Sequence, residues 1–550
     1  MSEAYSIPIT VGIVGHRDAI TTREQEIQIT TLFRDLASRF PCSPIYLFSS
    51  LADGADRFVA RLFLQMRQTD RELSNRFELI VPMPFSIDEF RKDFTSSSAA
   101  EFDQMVKSAK RCFCIGCEAS TIDRPLQYLK AGKFVADSSV ILIALWDGSK
   151  GKTGGTSDIV RHKIAGDDAN VTESTFEYDG TAFIIPCIRD SSGPTTGFTN
   201  ETLSLSLVMS DPAIREALEK TEEINSRKIM NGARELESSQ AKLYETDLTL
   251  SDQQMSLLRW YSLFDEGSLR FRKGDIRISL MLFIFGFLFI VGLEVYTNLF
   301  STLQVLGITM FLIVIATAIY FYSKYRQDHR KYLINRTLAE ALRIQFYWSL
   351  AGINRNVSDF FLRIHRKDFT WVKHLLSAIY GLVYEVRPIT DELISEVTEI
   401  WVKGQASFFR SSISRMRRQM AFFNVISNTS FMLAFAMLIS IFFLGTFYKS
   451  HGILNELLVI IGTFLGLFAL IKAYIQMKGY EQLMNQYELM SVIYARAESK
   501  IAETESYNLN TDQRRAYLKE LFFVIGKEAL IENGSWYMIF KEKEPEIEGI

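Results

Sequence analysis

The residues able to grip an anion collect in three glycine-bearing loops. The first, VGIVGHRD (11–18), ends an apolar run in Gly15, His16 and Arg17. The second, SSLADGADR (49–57), carries Asp53, Gly54 and Arg57. The third, WDGSKGKTGGTSD (146–158), carries Asp147, Gly148, Gly154, Gly155 and Thr156. Glycine lets a backbone come close to a ligand. Arginine forks onto phosphate or carboxylate, and the amides and dipole of a helix start attract negative charge. Each charge-assisted hydrogen bond from such loops contributes about 1.5–3 kcal/mol. This spacing points to binding of a phosphorylated ligand. Neither common phosphate fingerprint is present: no GxGxxG follows the first strand, and GKT (151–153) lacks the upstream glycine of a Walker loop.

Cutting that ligand would need an acid, a base or a nucleophile. Asp147, at a strand end, and Asp158, beyond the third loop, are the two candidate catalytic carboxylates. Asp147 has two further readings, which are favoured: it caps its loop, or it accepts from a ribose hydroxyl. His16 could act as a base, but no partner for it shows in the sequence. His162 is expected to face solvent on its helix. CFCIGC brings Cys112, Cys114 and Cys117 together, but no fourth ligand lies near, so the run reads as a buried strand and no metal site is assigned.

The loops need strands to carry them. Near-continuous apolar runs at 9–15, 45–50, 77–83, 111–116, 140–146 and 182–188 alternate with amphipathic stretches such as REQEIQITTLFRDLASRF and RFVARLFLQMRQ. Such runs suit a parallel sheet buried on both faces. Residues 1–205 therefore predict an α/β, Rossmann-like domain whose ligand loops lie at strand ends.

Composition narrows the class. A formal charge of −3 over 550 residues, with no long basic block, argues against nucleic acid as a partner. Five cysteines form no evident disulfide framework, which fits a reducing compartment. The N-terminus shows no secretory pattern. The 42 phenylalanines crowd into 271–300 and 420–470, which points to membrane segments.

Four spans are predicted in two hairpins. Ile278–Leu293 gives 16 uncharged residues, extended by Val295 and Tyr296 and anchored by Arg277; the second span runs from about Val305 to Tyr322. The third lies within 422–447 and the fourth covers about Leu454–Ile475, with Lys472 snorkelling. Basic residues flank the same ends of both hairpins (Arg270, Arg272, Lys273 and Arg277; Lys324, Arg326, Arg330 and Lys331; Arg415, Arg417 and Arg418; Lys472 and Lys478). The positive-inside rule then puts both termini in the cytoplasm. The predicted organisation is 1–205 nucleotide-binding domain, 206–275 helical connector, 276–324 first hairpin, 325–418 cytosolic helical segment, 419–475 second hairpin, and 476–550 cytosolic C-terminal helices and tail. The hairpins read as an internal repeat.

Polar residues in the spans carry two readings each. Asn424, Ser427 and Asn428 share a face of the third span and either line a pore or bond to neighbouring helices, the latter favoured. Gly462 and Gly466 form GxxxG and read as helix packing. Glu294 sits at a pore mouth or, as favoured, at headgroup level. Glu340 and Arg343, three apart, are expected to pair within the chain or across subunits.

The series GHRD, S-LADGADR, MPFSIDEFRKDF and ALWDG…GGTSDIV resembles the SLOG superfamily of Rossmann-like domains over about residues 5–200. That resemblance implies a nucleotide-derived ligand, such as a cyclic nucleotide or an ADP-ribose-like molecule, with no certain cofactor. Members of the cytokinin-activating type carry PGGxGTxxE. Aligning Gly155-Thr156 with its GT puts Ile159 where their catalytic Glu stands, so this chain is expected to hold the ligand without cutting it. NRTLAEALRIQFYWSLAG (335–352), WVKGQASFF (401–409) and EQLMNQYELMSVIYARAESKIAE (481–503) resemble the SLATT family of transmembrane effectors, over about 255–510. This implies a homo-oligomeric, membrane-disrupting or pore-forming effector in the bacterial plasma membrane, used in antiviral defence and triggered by a nucleotide signal whose producing enzyme is encoded nearby. The alternative is a membrane-anchored nucleotide hydrolase using Asp147 or Asp158. A transporter is disfavoured, since no run of intramembrane carboxylates or half-helix glycines marks a substrate site.

Overall fold

A computed structural model describes residues 6–116, 123–151, 153–165, 180–190, 202–227, 233–244, 249–360, 366–386, 390–447, 451–504 and 510–541. Cys117 lies outside them. The chain divides into two compact units. The first comprises Met1–Arg234, Thr246–Trp260 and Ala341–Pro388; the second comprises Glu235–Glu245, Tyr261–Glu340 and Ile389–Ile550.

In chain order the strands are β1 (Ile9–Gly15), β2 (Ala19–Ile20), β3 (Ile45–Phe48), β4 (Phe77–Met83), β5 (Arg111–Cys114), β6 (Ile141–Trp146), β7 (Ala182–Pro186) and β8 (Ile188–Arg189). The helices are α1 (Arg23–Arg39), α2 (Ala55–Thr69), α3 (Arg71–Ser74), α4 (Ile87–Arg91), α5 (Ser96–Ser108), α6 (Arg124–Ser138), α7 (Thr156–Ala165), α8 (Leu205–Ser210), α9 (Pro212–Arg227) and α10 (Ala233–Leu243). There follow α11 (Asp252–Asn298), α12 (Leu303–Arg326), α13 (Asp328–Leu350), α14 (Arg366–Val383), α15 (Asp391–Glu396), α16 (Gly404–Phe447), α17 (His451–Lys478), α18 (Tyr480–Glu503) and α19 (Thr511–Lys541).

Six strands form one parallel sheet in the order β5-β4-β3-β1-β6-β7. The apolar runs of β1, β3 and β6 are buried almost throughout, because helices cover both faces. After β1 the chain builds outward on one side through β3, β4 and β5, then crosses to the other for β6 and β7. The carboxyl ends of β1 and β6 therefore flank a topological switch point, where open α/β sheets bind ligands. The run at 182–188 is not one strand. It breaks at Cys187, after Pro186, which has no amide to donate. Ile188–Arg189 instead pairs antiparallel with Ala19–Ile20 in a two-stranded ribbon.

A segment from between the two hairpins folds into this first unit. α14 packs on α6 and α9. Gly381 lies so close to Ser138 and Phe48 that an added Cβ would stand 2.6 Å from the Ser138 side chain. Arg111 donates to the Leu382 and Tyr384 carbonyls, satisfying acceptors that the end of α14 leaves open. Phe113 and Phe134 pack on Tyr384 at 5.5 and 5.0 Å between centroids.

In the second unit, α11, α12, α16 and α17 carry stretches long and apolar enough to cross a membrane. α11 alone has 47 residues, roughly 70 Å at 1.5 Å per residue, so its first half belongs outside a hydrocarbon layer of about 30 Å. Only 6% of the apolar stretch is buried in the first two spans and 17% in the last two. Surfaces so extensively apolar suit lipid and not water. Both hairpins end alike: α12 stops at Gln327 and α17 at Gly479, each in the left-handed region, and the next helix starts immediately.

Close approach between the spans uses small residues. An added Cβ at Gly466 would meet Ile290 at 2.5 Å, at Gly462 the Glu294 carboxylate, and at Gly292 the Thr309 hydroxyl at 2.7 Å. Glu294 thus lies against α17, held by the Asn298 amide at 3.0 Å. Lys472 does not snorkel alone: its Nζ donates to Asn424 Oδ1 at 3.0 Å, joining α17 to α16. Ser427 is buried, and Asn428 is exposed. Glu340 forms an ion pair with Arg336, one turn earlier on α13, at the i,i+4 spacing.

Candidate functional site

Three loops meet at the carboxyl ends of the parallel strands, and their packing explains their glycines. Gly54 has φ 79°, a conformation favouring glycine. A Cβ there would stand 2.3 Å from the Arg17 carbonyl oxygen and 2.5 Å from that of His16. Gly15 faces Ala55 just as tightly, and the Ala55 amide donates to the His16 carbonyl at 3.1 Å. The first and second loops are thereby pressed into one surface.

His16 and Asp147 close the switch point. Both side chains are buried, and His16 Nε2 lies 2.8 Å from Asp147 Oδ1. The same oxygen accepts from the Ser149 amide at 2.9 Å and the Ser149 hydroxyl at 2.7 Å. Burial would push the Asp147 carboxyl up, but the Ser149 hydroxyl and amide, with His16, bring it down to about 2. Its other oxygen faces Arg189 at 3.8 Å, and Arg189 Nε donates to Asp18 at 2.9 Å. The β2–β8 ribbon thus packs over Asp147. This carboxylate is ionised and committed to its own loop.

The second loop is braced from beneath. Arg57 is only 2% exposed. It donates to the Leu51 carbonyl at 2.9 Å and to the Ser98 carbonyl at 2.7 Å, pairs with Asp53 at 2.9 Å, and stacks 4.2 Å over Phe94. Asp53 also accepts from the Ser98 hydroxyl. Leu51 holds φ 55° where the strand turns. Asp56, a residue the sequence reading passed over, is buried at the start of α2. Desolvation drives its carboxyl up to about 7, against the Ala52 amide and the Arg17 and Arg57 charges.

The third loop is satisfied largely from within. Gly154 has φ 79° and packs on the Pro125 carbonyl. The Gly154 amide donates to Asp158 Oδ2 at 3.1 Å, and the Gly151 amide to Ser157 Oγ at 2.9 Å. Gly155 caps α7, accepting from the Asp158 and Ile159 amides, and Thr156 is buried. Two amides that could cradle phosphate are therefore occupied, and the Asp158 carboxylate adds negative charge at a helix start. Gly148, at φ 80°, is exposed.

An aromatic-cationic cluster completes the surface. The exposed Arg17 guanidinium sits 4.5 Å over the Tyr128 ring. The Tyr128 hydroxyl donates to Asp93, and Arg124 bridges Glu89 at 2.7 Å and Asp93 while stacking 4.3 Å over Phe85. Burial and the Asp93 hydrogen bond raise the Tyr128 phenol. Phe85, Glu89, Asp93 and Phe94 all come from MPFSIDEFRKDF, so that motif supports the cluster.

His162 is not solvent-facing: it is buried, with Nε2 2.8 Å from Asp137 Oδ1. A cavity of about 560 Å³ lies at the sheet edge beside β5, lined by Arg111, Phe113, Gln253, Tyr384 and Glu385. Cys112 and Cys187 are free thiols raised by burial to about 11, and Cys114 is disulfide-bonded. Among the described residues no group of three or more His, Cys, Asp or Glu is placed to hold a metal. No protein-family profile matches the chain, and no curated protein matches it.

Proposed function

We propose that this protein is a membrane effector gated by a nucleotide-derived anion that binds at the strand ends of its α/β unit. The observation that carries this reading is the exposed Arg17 guanidinium resting on Tyr128, beside a switch point whose own carboxylate is committed internally. A stacked arginine offers one face to an aromatic ring, and the donors of its fork beyond the one that reaches the Tyr128 oxygen remain for phosphate. Asp147 and Asp158 each brace a loop, so holding the ligand is favoured over cutting it.

Coupling to the bilayer follows the chain. α11 and α13 contribute residues to both units, and α14, encoded between the hairpins, packs on α6. α6 begins at the Arg124–Tyr128 cluster, so a ligand that moves Arg17 and Tyr128 biases the helix on which α14 rests. Moving a gate from mostly shut to mostly open takes about 5.5 kcal/mol of differential binding, which several copies of the chain can share.

The resemblance to SLOG sensors and SLATT effectors extends this reading. The protein is a homo-oligomeric pore or membrane disruptor of bacterial antiviral defence, sits in the plasma membrane with both termini cytoplasmic, and answers to a signal made by an enzyme encoded nearby. Calorimetry of the full-length protein against cyclic nucleotides and ADP-ribose derivatives tests the binding step. One of them binds, and Arg17→Ala or Gly155→Glu removes binding without loss of membrane insertion. Binding unchanged in both variants sinks the assignment.

The His16–Asp147 pair favours a second reading, a membrane-anchored nucleotide hydrolase. Turnover of a bound nucleotide by the purified protein, lost in Asp147→Asn, would support that reading over the first.

A further inference from the structure

α16 carries an exposed stripe spaced three and four residues apart: Val425, Asn428, Met432, Phe435, Ile439 and Phe442. Its apolar members are 44–72% exposed. Such spacing marks one face of a helix, and where such a face meets a second helix one asparagine among apolar residues sets register and partner number. Asn428 lies ten residues beyond Arg418, about 15 Å along the axis, well inside a hydrocarbon layer of about 30 Å. Its side-chain amide makes no hydrogen bond among the described residues. Hydrocarbon offers no donor or acceptor, so an intramembrane amide turns toward protein or water.

The other amide of this span does not share this position. Asn424 is held by Lys472, and Ser430 bonds back to the Ile426 carbonyl. On α12, exposed Thr317 bonds to the Ile313 carbonyl at 2.8 Å. The GxxxG face of α17 is already filled by Ile290 and Glu294 of α11. The exposed amide seam is therefore on α16.

We infer that α16 packs along this seam against α16 of a second copy of the chain, with the two Asn428 amides bonded to each other. An amide is donor and acceptor at once, so it complements its own copy across a two-fold axis. Parallel copies in one bilayer place Asn428 opposite Asn428.

This interface rests on the membrane-spanning part of the proposed function and not on its ligand, so the test contains no nucleotide. Full-length Asn428→Cys and Leu433→Cys chains are placed in phosphatidylethanolamine–phosphatidylglycerol vesicles and oxidised, with the parent chain and its five cysteines as baseline. Leu433 is exposed, about 140° around α16 from Asn428 at 3.6 residues per turn. Disulfide dimers form above baseline for Asn428→Cys and not for Leu433→Cys. In parallel, energy transfer between differently labelled copies shows Asn428→Leu associating about three- to tenfold more weakly, the scale of one interhelical hydrogen bond. A chain that alkaline carbonate strips from the vesicles overturns the spanning reading and the interface with it. A retained chain whose Asn428→Cys form crosslinks no better than Leu433→Cys, or whose association ignores Asn428→Leu, overturns the interface alone.

Discussion

His16 Nε2 stands 2.8 Å from Asp147 Oδ1, tying the end of β1 to the end of β6 across the point where the sheet reverses direction. The pair joins the two strand ends at the switch point and leaves Arg17, the next residue, exposed. Asp147 is held at about 2, below the roughly 3.9 of an unfolded aspartate. A depressed carboxylate stabilises the fold above its unfolded pKa, and that contribution fades as pH falls toward the folded value. We expect Asp147→Asn to cost roughly 2–3 kcal/mol at pH 7, with the gap to the parent closing between pH 4 and pH 2. Thermal unfolding across that range measures it.

Asp56 behaves oppositely. Its carboxyl is pushed up to about 7 by burial, so the folded state prefers it protonated. A raised carboxyl costs nothing below its unfolded pKa, and the cost grows as pH climbs from about 4 to 7. Asp56→Asn keeps an oxygen for the Ala52 amide and removes the ionisation. The variant should match the parent near pH 4 and exceed it at pH 8 by a few kcal/mol, on the order of the shift. Equal melting profiles at pH 8 would count against a buried carboxyl at this position.

Gly54 is among the tightest points where the first and second loops meet. Alanine there meets two carbonyl oxygens within 2.5 Å and must hold φ 79°. Strain of both kinds predicts a loss of about 2–4 kcal/mol, read as a lower melting temperature of the α/β unit. Gly148, with φ 80° but an exposed position, should lose about 1–2 kcal/mol as alanine.

Gly466 tests the hairpin packing. Leucine at this position cannot coexist with Ile290, whose methyl lies 2.5 Å from the added Cβ. Gly466→Leu should separate α17 from α11 and make the spans more susceptible to protease in detergent. Gly307, whose Cβ would meet nothing within 4 Å, is the control: Gly307→Leu should leave the digestion pattern unchanged.

The sheet was legible because each strand is a short, nearly unbroken apolar run, and a parallel sheet buried on both faces requires that of β1, β4 and β6. The spans were legible for the same reason at greater length. The site was less so. Glycines 15, 54 and 154 marked the loops, but what surrounds them is set by partners far away in sequence. Arg124 meets Glu89 and Asp93 at separations of 35 and 31 residues, and His16 meets Asp147 at 131. Arg57 looked like a phosphate ligand because arginine near a helix start commonly is one; nothing local says that Phe94 and Ser98 enclose it. Asp56 differs from Asp53 only in burial, which spacing alone does not assign. α14 has the apolar face of any packed helix, and only the fold pairs it with α6 more than 200 residues earlier.

Release of a trapped dye from vesicles holding the full-length protein tests the central claim most directly, with Arg17→Ala beside it. At least one cyclic nucleotide or ADP-ribose derivative should raise release, and Arg17→Ala should move the half-maximal concentration up about tenfold or more. A ligand that binds by calorimetry yet leaves release at its basal rate would contradict it.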